Sequence, residues 1–471
     1  MMNTPDAALA LERAVRESLR FLEGLDTRPV GATASLSELR QRMRMSLQDA
    51  PIPPDQVIEE LVAMTEGGLH GSTGGRFFAW VMGGALPAAL AADWLTSAWD
   101  QNGALYTTAP AAAVIEEVAG EWMLELLDLP RTASFALTTG CQMAHVTGLA
   151  AARHAVLTRH GWNVHEDGLH GAPPIRIFTS EHRHGSIDRA VRLLGLGSRS
   201  LQALPTDGHG RVTAATLSHA LAGHTGPTIV VLDAADLNIA AVDNCAALVP
   251  LAHAAGAWVH VDGAFGLLAR ASAVAGRREL LTGIELADSW STDAHKWLNI
   301  PFDCGISMVR DREAHRAAMT LSASYITFDQ DARSQMDWNP EWSRRARGFA
   351  LYAGLRELGR SGVASLIDRC CDHCTALVRG LGALPGAEVV WESQLNQGLV
   401  RFRDRAPGAT DADHDRTTLA TIDAINATGE AFFSGVTWQG RQVMRISVVN
   451  WRTTDDDVRR TIAAAARVLG G

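Results

Sequence analysis

Lys296 is the only lysine in the chain; the remaining 41 of its 42 basic residues are arginines. It lies in the run STDAHKWLNIPFDCG, residues 291–305. A surface cation can usually be either residue, so a chain that uses arginine everywhere else keeps lysine here for something arginine cannot do. A guanidinium stays protonated up to pH ~12. A partly desolvated lysine amine can lose its proton and attack a carbonyl to form an imine. A stray surface lysine is the plain alternative. The flanking His295 and Trp297, in a run whose only other charged residues are Asp293 and Asp303, do not read as a solvated face.

An imine-forming lysine does most when it carries pyridoxal phosphate (PLP), whose ring acts as an electron sink. That cofactor needs three further partners. Its pyridine nitrogen needs a carboxylate, and WVHVDGAFG puts Asp262 at the end of an apolar strand. A strand-end turn aspartate is the simpler reading of that residue alone. The phosphate needs backbone N–H groups at a helix start. FALTTGCQMAHVTGLAAAR offers a strand, a turn at Thr139–Gly140 and a helix from Cys141, so that Gly140, Cys141 and Gln142 would face an anion. Many α/β turns look the same. The exposed ring face needs a flat partner, and TSEHRHGSIDRAV places His184 between a strand and a helix, where an isolated histidine is otherwise a cap. Each signal is modest alone. In this chain order around a lone lysine they become specific.

The elements that must position these residues are legible in outline. Buried strands are expected at RIFTS (176–180), TIVVLDA (228–234), AWVHVDG (257–263) and CGISMV (304–309), separated by helices. That alternation implies an α/β domain with a mostly parallel sheet, whose ligands collect at the carboxyl ends of the strands. An amphipathic helix is expected over residues 5–23 and a second at PDQVIEELVAMT. They form an N-terminal helical arm (1–83) with little core of its own. The large domain then spans 84–345, and a small C-terminal α+β domain with antiparallel strands spans 346–471. The polar run TFDQDARSQMDWNPEWS reads as a mobile loop. CCDHC (Cys370, Cys371, His373, Cys374) falls inside an amphipathic helix and reads as buried cysteines, with no metal expected.

Composition narrows the function classes. The chain has 471 residues, 47% of them hydrophobic and 20% charged, with a net charge of −10. The acidic balance disfavours nucleic acid or an anionic membrane as the main partner. Six cysteines without a pairing pattern suit a reducing compartment. The N-terminus has no signal-peptide pattern and no apolar run reaches membrane-spanning length. A cytoplasmic protein is expected.

The runs DSWSTDAHKWL…FDCG, HVDGAFG and SEHRHGSIDRA resemble the group II PLP-dependent amino-acid decarboxylases, which include the aromatic-L-amino-acid decarboxylases. The likeness extends from GRFFAWV near residue 76 to VMRISVV near residue 443. It implies PLP-dependent transferase fold type I and an obligate homodimer with its active sites at the subunit interface. The N-terminal arm would then cross onto the partner. By the resemblance, Lys296 holds PLP as an imine, next to His295. Asp262 pairs with the ring nitrogen, Ala264 lies under the ring, and His184 stacks on it and acts in proton transfer. The backbone at Gly140, Cys141 and Gln142, with the Ser289 hydroxyl, holds the phosphate. Tyr325 is a further catalytic candidate. The substrate pocket would include Trp80, Gln101, Asn102, Ala104 and Arg445. The implied reaction is decarboxylation of an amino acid to an amine.

Departures from the family pattern keep other outcomes open. A loop tyrosine usual in these decarboxylases falls near Ser334 or Gln335, while Tyr325 matches a different position. Loss of that acid is associated in the family with oxidative deamination to an aldehyde. The family's Gly-Thr-Thr run is replaced by Ala235, Asp236 and Leu237, and Asp236 reads as a loop residue. Asp293 stands where asparagine is usual, as in PLP aldehyde lyases. Gln101, Asn102, Gly103 and Ala104 make a roomier, more polar pocket than the aromatic-specific members have. A C–C lyase, an aminotransferase using Arg445 as a carboxylate clamp, and a PLP-binding protein without turnover are the competing readings.

Overall fold

The computed structural model describes residues 4–321 and 332–470. Seven strands form the large sheet: β1 Ser134–Thr138, β2 Arg176–Ser180, β3 Leu201–Leu204, β4 Thr228–Asp233, β5 Trp258–Asp262, β6 Ser289–Asp293 and β7 Gly305–Val309. Their order is β1-β7-β6-β5-β4-β2-β3. β1, β4, β5, β6 and β7 are buried along their whole length, β6 despite its polar sequence SWSTD, as strands of a sheet covered on both faces are. The pairings from β3 through β6 are parallel. Only β7 runs against its neighbours β1 and β6. Two reversals cancel, so β1 runs with β6, and β1, β2, β4, β5 and β6 all end at the same edge. That edge carries Gly140, His184, Asp236, Asp262 and Lys296 in the loops that follow or the last strand residue. The expectation of an α/β domain with a mostly parallel sheet holds.

The second sheet joins β8 Ala387–Gln394, β9 Gln397–Phe402, β10 Ser434–Trp438 and β11 Arg441–Ser447 in the antiparallel order β10-β11-β9-β8. The long helix Gly348–Gly382 is interrupted at Gly359, whose φ of 59° and ψ of −178° no other residue type adopts readily. Its Cys370, Cys371 and Cys374 are buried and His373 pairs with Asp455, so CCDHC is packing. At the N-terminus, α1 Thr4–Glu23 and α3 Pro54–Thr65 lie against each other and share the Arg13–Glu59 ion pair, with α2 Leu36–Met43 between them in sequence. Leu11, Leu19 and Leu61 remain exposed on this arm. Further along, α4 Pro87–Trp99 and α5 Pro110–Leu126 precede β1, and α6 Cys141–Arg159 follows it. No helix among the described residues is long and apolar enough to cross a membrane.

Residues 332–343 correct the expectation of a mobile loop. Gln335–Asp337 form a buried 3-10 turn. Gln335 Nε2 donates to the Ala113 carbonyl and Asn339 Nδ2 to that of Leu137. Arg333 lies over the rings of Phe135 and Trp338. Polar side chains that satisfy backbone groups of other elements leave no periodic signal, which is why this run looks unstructured in sequence.

His315 is fully buried: its Nε2–H donates to the Trp338 carbonyl at 2.8 Å and its Nδ1 faces the Ser134 hydroxyl at 2.8 Å. Burial pushes its pKa down to about 3. The unfolded chain, titrating near the ordinary ~6.5, binds a proton that the folded chain refuses, so stability falls as pH falls through that window. At about 1.4 kcal/mol per pH unit, lowering the pH from 7 to 5 costs about 2 kcal/mol. His315→Gln should remove that share of the loss, read by urea denaturation at both pH values. An unchanged difference would contradict the assignment.

Candidate active site

Asp262 ends β5 beside Asp233 of β4 and Ser291 of β6. It is buried, and its Oδ1 accepts from the Ala264 amide at 3.1 Å. Burial alone would raise its pKa. His145, whose Nε2 lies 3.5 Å from Asp262 Oδ2, and the Ala264 amide more than offset that, so the carboxyl is held well below its ordinary range. Ala264 is fixed on its other side too, since its carbonyl accepts from the Asp293 amide at 2.9 Å. The Asp262 turn and the Lys296 turn are thereby bound into one floor.

Lys296 Nζ lies 2.9 Å from Asp293 Oδ2. Burial pushes the amine pKa down, but the negative charges nearby, Asp293 first, reverse this and the net direction is upward. Asp293 Oδ1 accepts from the Cys141 amide at 2.6 Å, at the start of α6, and lies 3.6 Å from His295 Nε2. His295 Nδ1 accepts from the Cys304 amide, and burial pushes its pKa down. Gly305 sits between Thr138 of β1 and Asp293 of β6. A Cβ there would lie 2.4 Å from the Gly140 backbone, so only glycine lets β7 pass under the α6 turn.

The lysine turn is anchored by a residue that sequence reasoning missed. Asn299, buried with φ of 57°, accepts from the amides of Gly84 (2.8 Å) and Trp451 (3.1 Å) and donates to the carbonyls of Trp297 and Val449, both at 2.8 Å. One side chain thus ties the lysine turn to the 80–84 loop and to the segment after β11. In that loop Trp80 and Val81 both have positive φ, and a Cβ on Gly83 would lie 2.0 Å from the Lys296 carbonyl oxygen. Asparagine tolerates left-handed backbone; alanine does not. Asn299→Ala orphans four buried backbone groups. At about 1 kcal/mol or more each, it should cost roughly 4 kcal/mol and loosen cofactor retention. Denaturation and cofactor titration would check this, and a loss below about 1 kcal/mol would contradict it.

His184 caps the helix Gly185–Leu193. Its Nδ1 accepts from the Ser186 amide at 3.2 Å and lies 2.7 Å from the Ser186 hydroxyl. With Nδ1 an acceptor, the proton of the neutral ring sits on Nε2. Burial pushes the His184 pKa down, with Asp262, Lys296, His145 and Arg445 acting on it as neighbours. Arg445, on β11, is buried. It donates from Nη1 to the Leu237 carbonyl at 3.3 Å and keeps a buried Nε without a protein partner. Burial pushes its pKa down to about 10, with Asp236 opposing. Asp236 itself is spent on its own loop, accepting from the amides of Asn238, Ile239 and Ala241.

The structure thus gathers Lys296, Asp262, Ala264, His184, His295, Gly140, Cys141, Gln142 and Arg445 around one end of the sheet. The other expected site residues, Ser289, Gln101, Asn102, Ala104, Trp80 and Tyr325, lie as follows. Ser289 begins β6 whereas Lys296 lies in the turn that follows its end, so the whole five-residue strand separates the two positions. Its hydroxyl accepts from Trp258 Nε1 at 2.9 Å and meets His260 Nδ1 at 2.8 Å in full burial. A phosphate contact for Ser289 is therefore corrected: the hydroxyl is enclosed by its own sheet. Gln101, Asn102 and Ala104 bond to their own chain. Gln101 donates to the Trp99 carbonyl, Asn102 meets Ser343, Arg344 and Ala104, and the Ala104 carbonyl accepts from Met336. Trp80 is half exposed, packed with Phe77 and Phe432. Tyr325 lies outside the described residues. Among the described residues, Cys141, His145 and Asp262 bring donor atoms within 4.8 Å of one another, and all three belong to this cluster.

Comparison with known proteins decides the family. Residues 37–405 match the family described as pyridoxal-dependent decarboxylase conserved domain. The chain belongs to that family. It is 29% identical to L-2,4-diaminobutyrate decarboxylase of Rhizobium meliloti (strain 1021), over 81% of this chain and 74% of the relative. It is 23% identical to phenylacetaldehyde synthase of Arabidopsis thaliana, over 91% and 88% of the two chains. Its fold matches the crystal structure of Oryza sativa TDC with PLP and tryptamine at a TM-score of 0.92 and 25% identity, covering 100% of this chain and 98% of that one. Membership makes pyridoxal phosphate the cofactor and amino-acid decarboxylation the activity class. The site agrees chemically. An amine, a buried carboxylate held ionised and a helix start are the donor set that a carbonyl, a protonated pyridine and a phosphate require.

Proposed function

We propose that this decarboxylase converts a small or polar amino acid to its amine and CO2 in a cytoplasmic homodimer. The observation that carries the reading is Asp262, buried and held ionised on the same floor as the chain's only lysine. Bound pyridoxal phosphate supplies an electron sink for the bond cleaved at the amino acid's α-carbon.

The chain's own residues divide the remaining work. Lys296 would hold the cofactor covalently, and Asp293 Oδ2, in contact with its Nζ, fixes where that nitrogen lies. Asp262 keeps the ring nitrogen protonated. The α6 start holds the phosphate through Gln142, since the Cys141 amide is engaged by Asp293. His184 would stack on the ring face, and its imidazole would have to be in the protonated form to give a proton to the substrate carbon, a form that burial disfavours. Arg445 binds the substrate carboxylate through the side of its guanidinium that lacks a protein partner.

The small, polar substrate follows from Asn102 and Ala104, which replace bulky apolar residues and would reach the site from the second subunit. A relative named for L-2,4-diaminobutyrate supports it. The exposed Leu11, Leu19 and Leu61 of the arm, with Trp94 and Trp99 of α4, supply apolar surface for that subunit. Six buried free cysteines suit a reducing compartment.

Aldehyde formation is the second reading. Ser334 and Gln335 occupy the region of the family's loop acid, both are buried, and a relative is named phenylacetaldehyde synthase. An amino-acid panel followed at once for CO2, amine, O2 and H2O2 separates the two. CO2 and amine in equal amounts without oxygen uptake is the expected result. Oxygen uptake with aldehyde, ammonia and peroxide would favour the second reading, and absence of CO2 would overturn both.

A further inference from the structure

Behind Asp262 lies a chain of buried polar groups at hydrogen-bond distance from one another, ending in a longer approach of His145 Nε2 to the carboxylate. Trp258 Nε1 lies 2.9 Å from Ser289 Oγ, which lies 2.8 Å from His260 Nδ1. His260 Nε2 is 3.0 Å from His145 Nδ1, and His145 Nε2 is 3.5 Å from Asp262 Oδ2. Trp258, His145, His260 and Ser289 are almost wholly buried. His145 comes from α6, the others from the adjoining ends of β5 and β6. A Cβ on Gly148 would lie 2.9 Å from His260 Cε1, so a glycine on α6 makes room for the contact.

The direction of this chain is fixed at its far end. An indole N–H can only donate, so Ser289 Oγ accepts from Trp258. His260 Nδ1 is the other partner of that hydroxyl among the described residues. If His260 donated to it, the serine proton would be buried without an acceptor, at a cost of about 1–3 kcal/mol. Ser289 therefore donates to His260 Nδ1. The neutral ring then carries its proton on Nε2 and donates to His145 Nδ1. Burial, which pushes the His260 pKa down to about 3, keeps that ring neutral. The Ser291 hydroxyl lies 3.0 Å from His145 Nδ1 and donates to the Val261 carbonyl at 3.4 Å. With Nδ1 accepting, His145 carries its proton on Nε2, aimed at the carboxylate.

We propose that Trp258, Ser289, His260 and His145 form a one-way hydrogen-bond relay that holds the Asp262 carboxylate charged and aimed at the cofactor's ring nitrogen. This rests on the proposed role of Asp262. It makes His145 a positioning residue, acting through Asp262 rather than on the substrate. The contact at 3.5 Å is long, as such contacts commonly are before a ligand engages. The relay also accounts for what Ser289 does in place of holding phosphate.

Two measurements test it. In cofactor-free protein labelled with [15N]histidine, both His145 and His260 should carry a proton on Nε2 and present Nδ1 as an acceptor. Protonation on Nδ1 in either would overturn the relay. In the holoenzyme carrying [15N]pyridoxal phosphate, His145→Leu should keep the cofactor on Lys296 but move the ring nitrogen signal toward its unprotonated position. kcat should fall about 10–100-fold, as loss of an outer partner of a ligating group typically causes, with KM little changed. His145→Gln, which retains a donor toward Asp262, should recover part of both. Trp258→Phe, remote from the cofactor, should shift the ring nitrogen in the same direction by less. A folded His145→Leu protein with wild-type ring nitrogen and kcat would overturn the proposal. Because the tautomers are read without cofactor, failure of pyridoxal phosphate to attach to Lys296 would count against the proposed function, not against the relay's direction.

Discussion

Lys296→Arg should fold, keep its ion pair with Asp293, and lose turnover by at least about 10^4-fold, the scale on which removal of a covalent catalytic group is felt. The substitution preserves charge, which is the only thing a structural lysine paired with Asp293 would need. It removes the ability to exist as a free amine, because the guanidinium does not deprotonate in this range. A protein that tolerates arginine at 41 other basic positions therefore offers its own control. The cofactor's absorption should also change, since only noncovalent binding remains. Activity within about tenfold of wild type would show that Lys296 serves only the Asp293 contact.

Asp262→Asn should lower kcat by about 10^2–10^3-fold, as loss of one preorganised charged partner in a water-excluded site does, while the cofactor still attaches to Lys296. The amide fits the same space and can still meet the Ala264 amide, but it cannot hold a proton on the ring nitrogen. The charge is robust to acid in the wild type. The Asp262 pKa is lowered in the folded state, so its contribution is fully present above the ordinary carboxylate pKa of ~3.9 and is lost only as pH falls through the lowered folded value. The decline of wild-type activity between pH 7 and 5 should accordingly not arise from Asp262. Steady-state kinetics with cofactor content measured in parallel checks both statements. Unchanged kcat in Asp262→Asn would remove the ring-nitrogen role.

How much of this was legible beforehand can be seen residue by residue. The lone lysine, the strand-end Asp262 and the glycine turn before α6 stood out because each chemistry restricts residue type and place at once. The strands β2, β4, β5 and β7 were visible as short apolar runs, and their alternation with helices implied the sheet edge where the site lies. The reversed direction of β7 was not visible, since a buried strand reads the same both ways. The relay was hidden for a related reason: His145 within an apolar helix and His260 within an apolar strand look like ordinary core histidines until the register of β5 and β6 sets them against Ser289 and Ser291. Asn299 was hidden because three of its four partners come from two distant segments. The phosphate role given to Ser289 could have been doubted from spacing alone, because a strand of five residues separates it from the lysine turn. The polar run 332–343 misled because its buried amides bond to backbone, which has no sequence signature.

The most direct test of the central assignment is borohydride reduction of the holoenzyme followed by peptide mapping. The expected result is one modified peptide, carrying the reduced pyridoxyl group on Lys296, with no such product in Lys296→Arg. Modification confined to the N-terminal amine, or none at all in protein that contains the cofactor, would contradict the role of Lys296 and the site built around it.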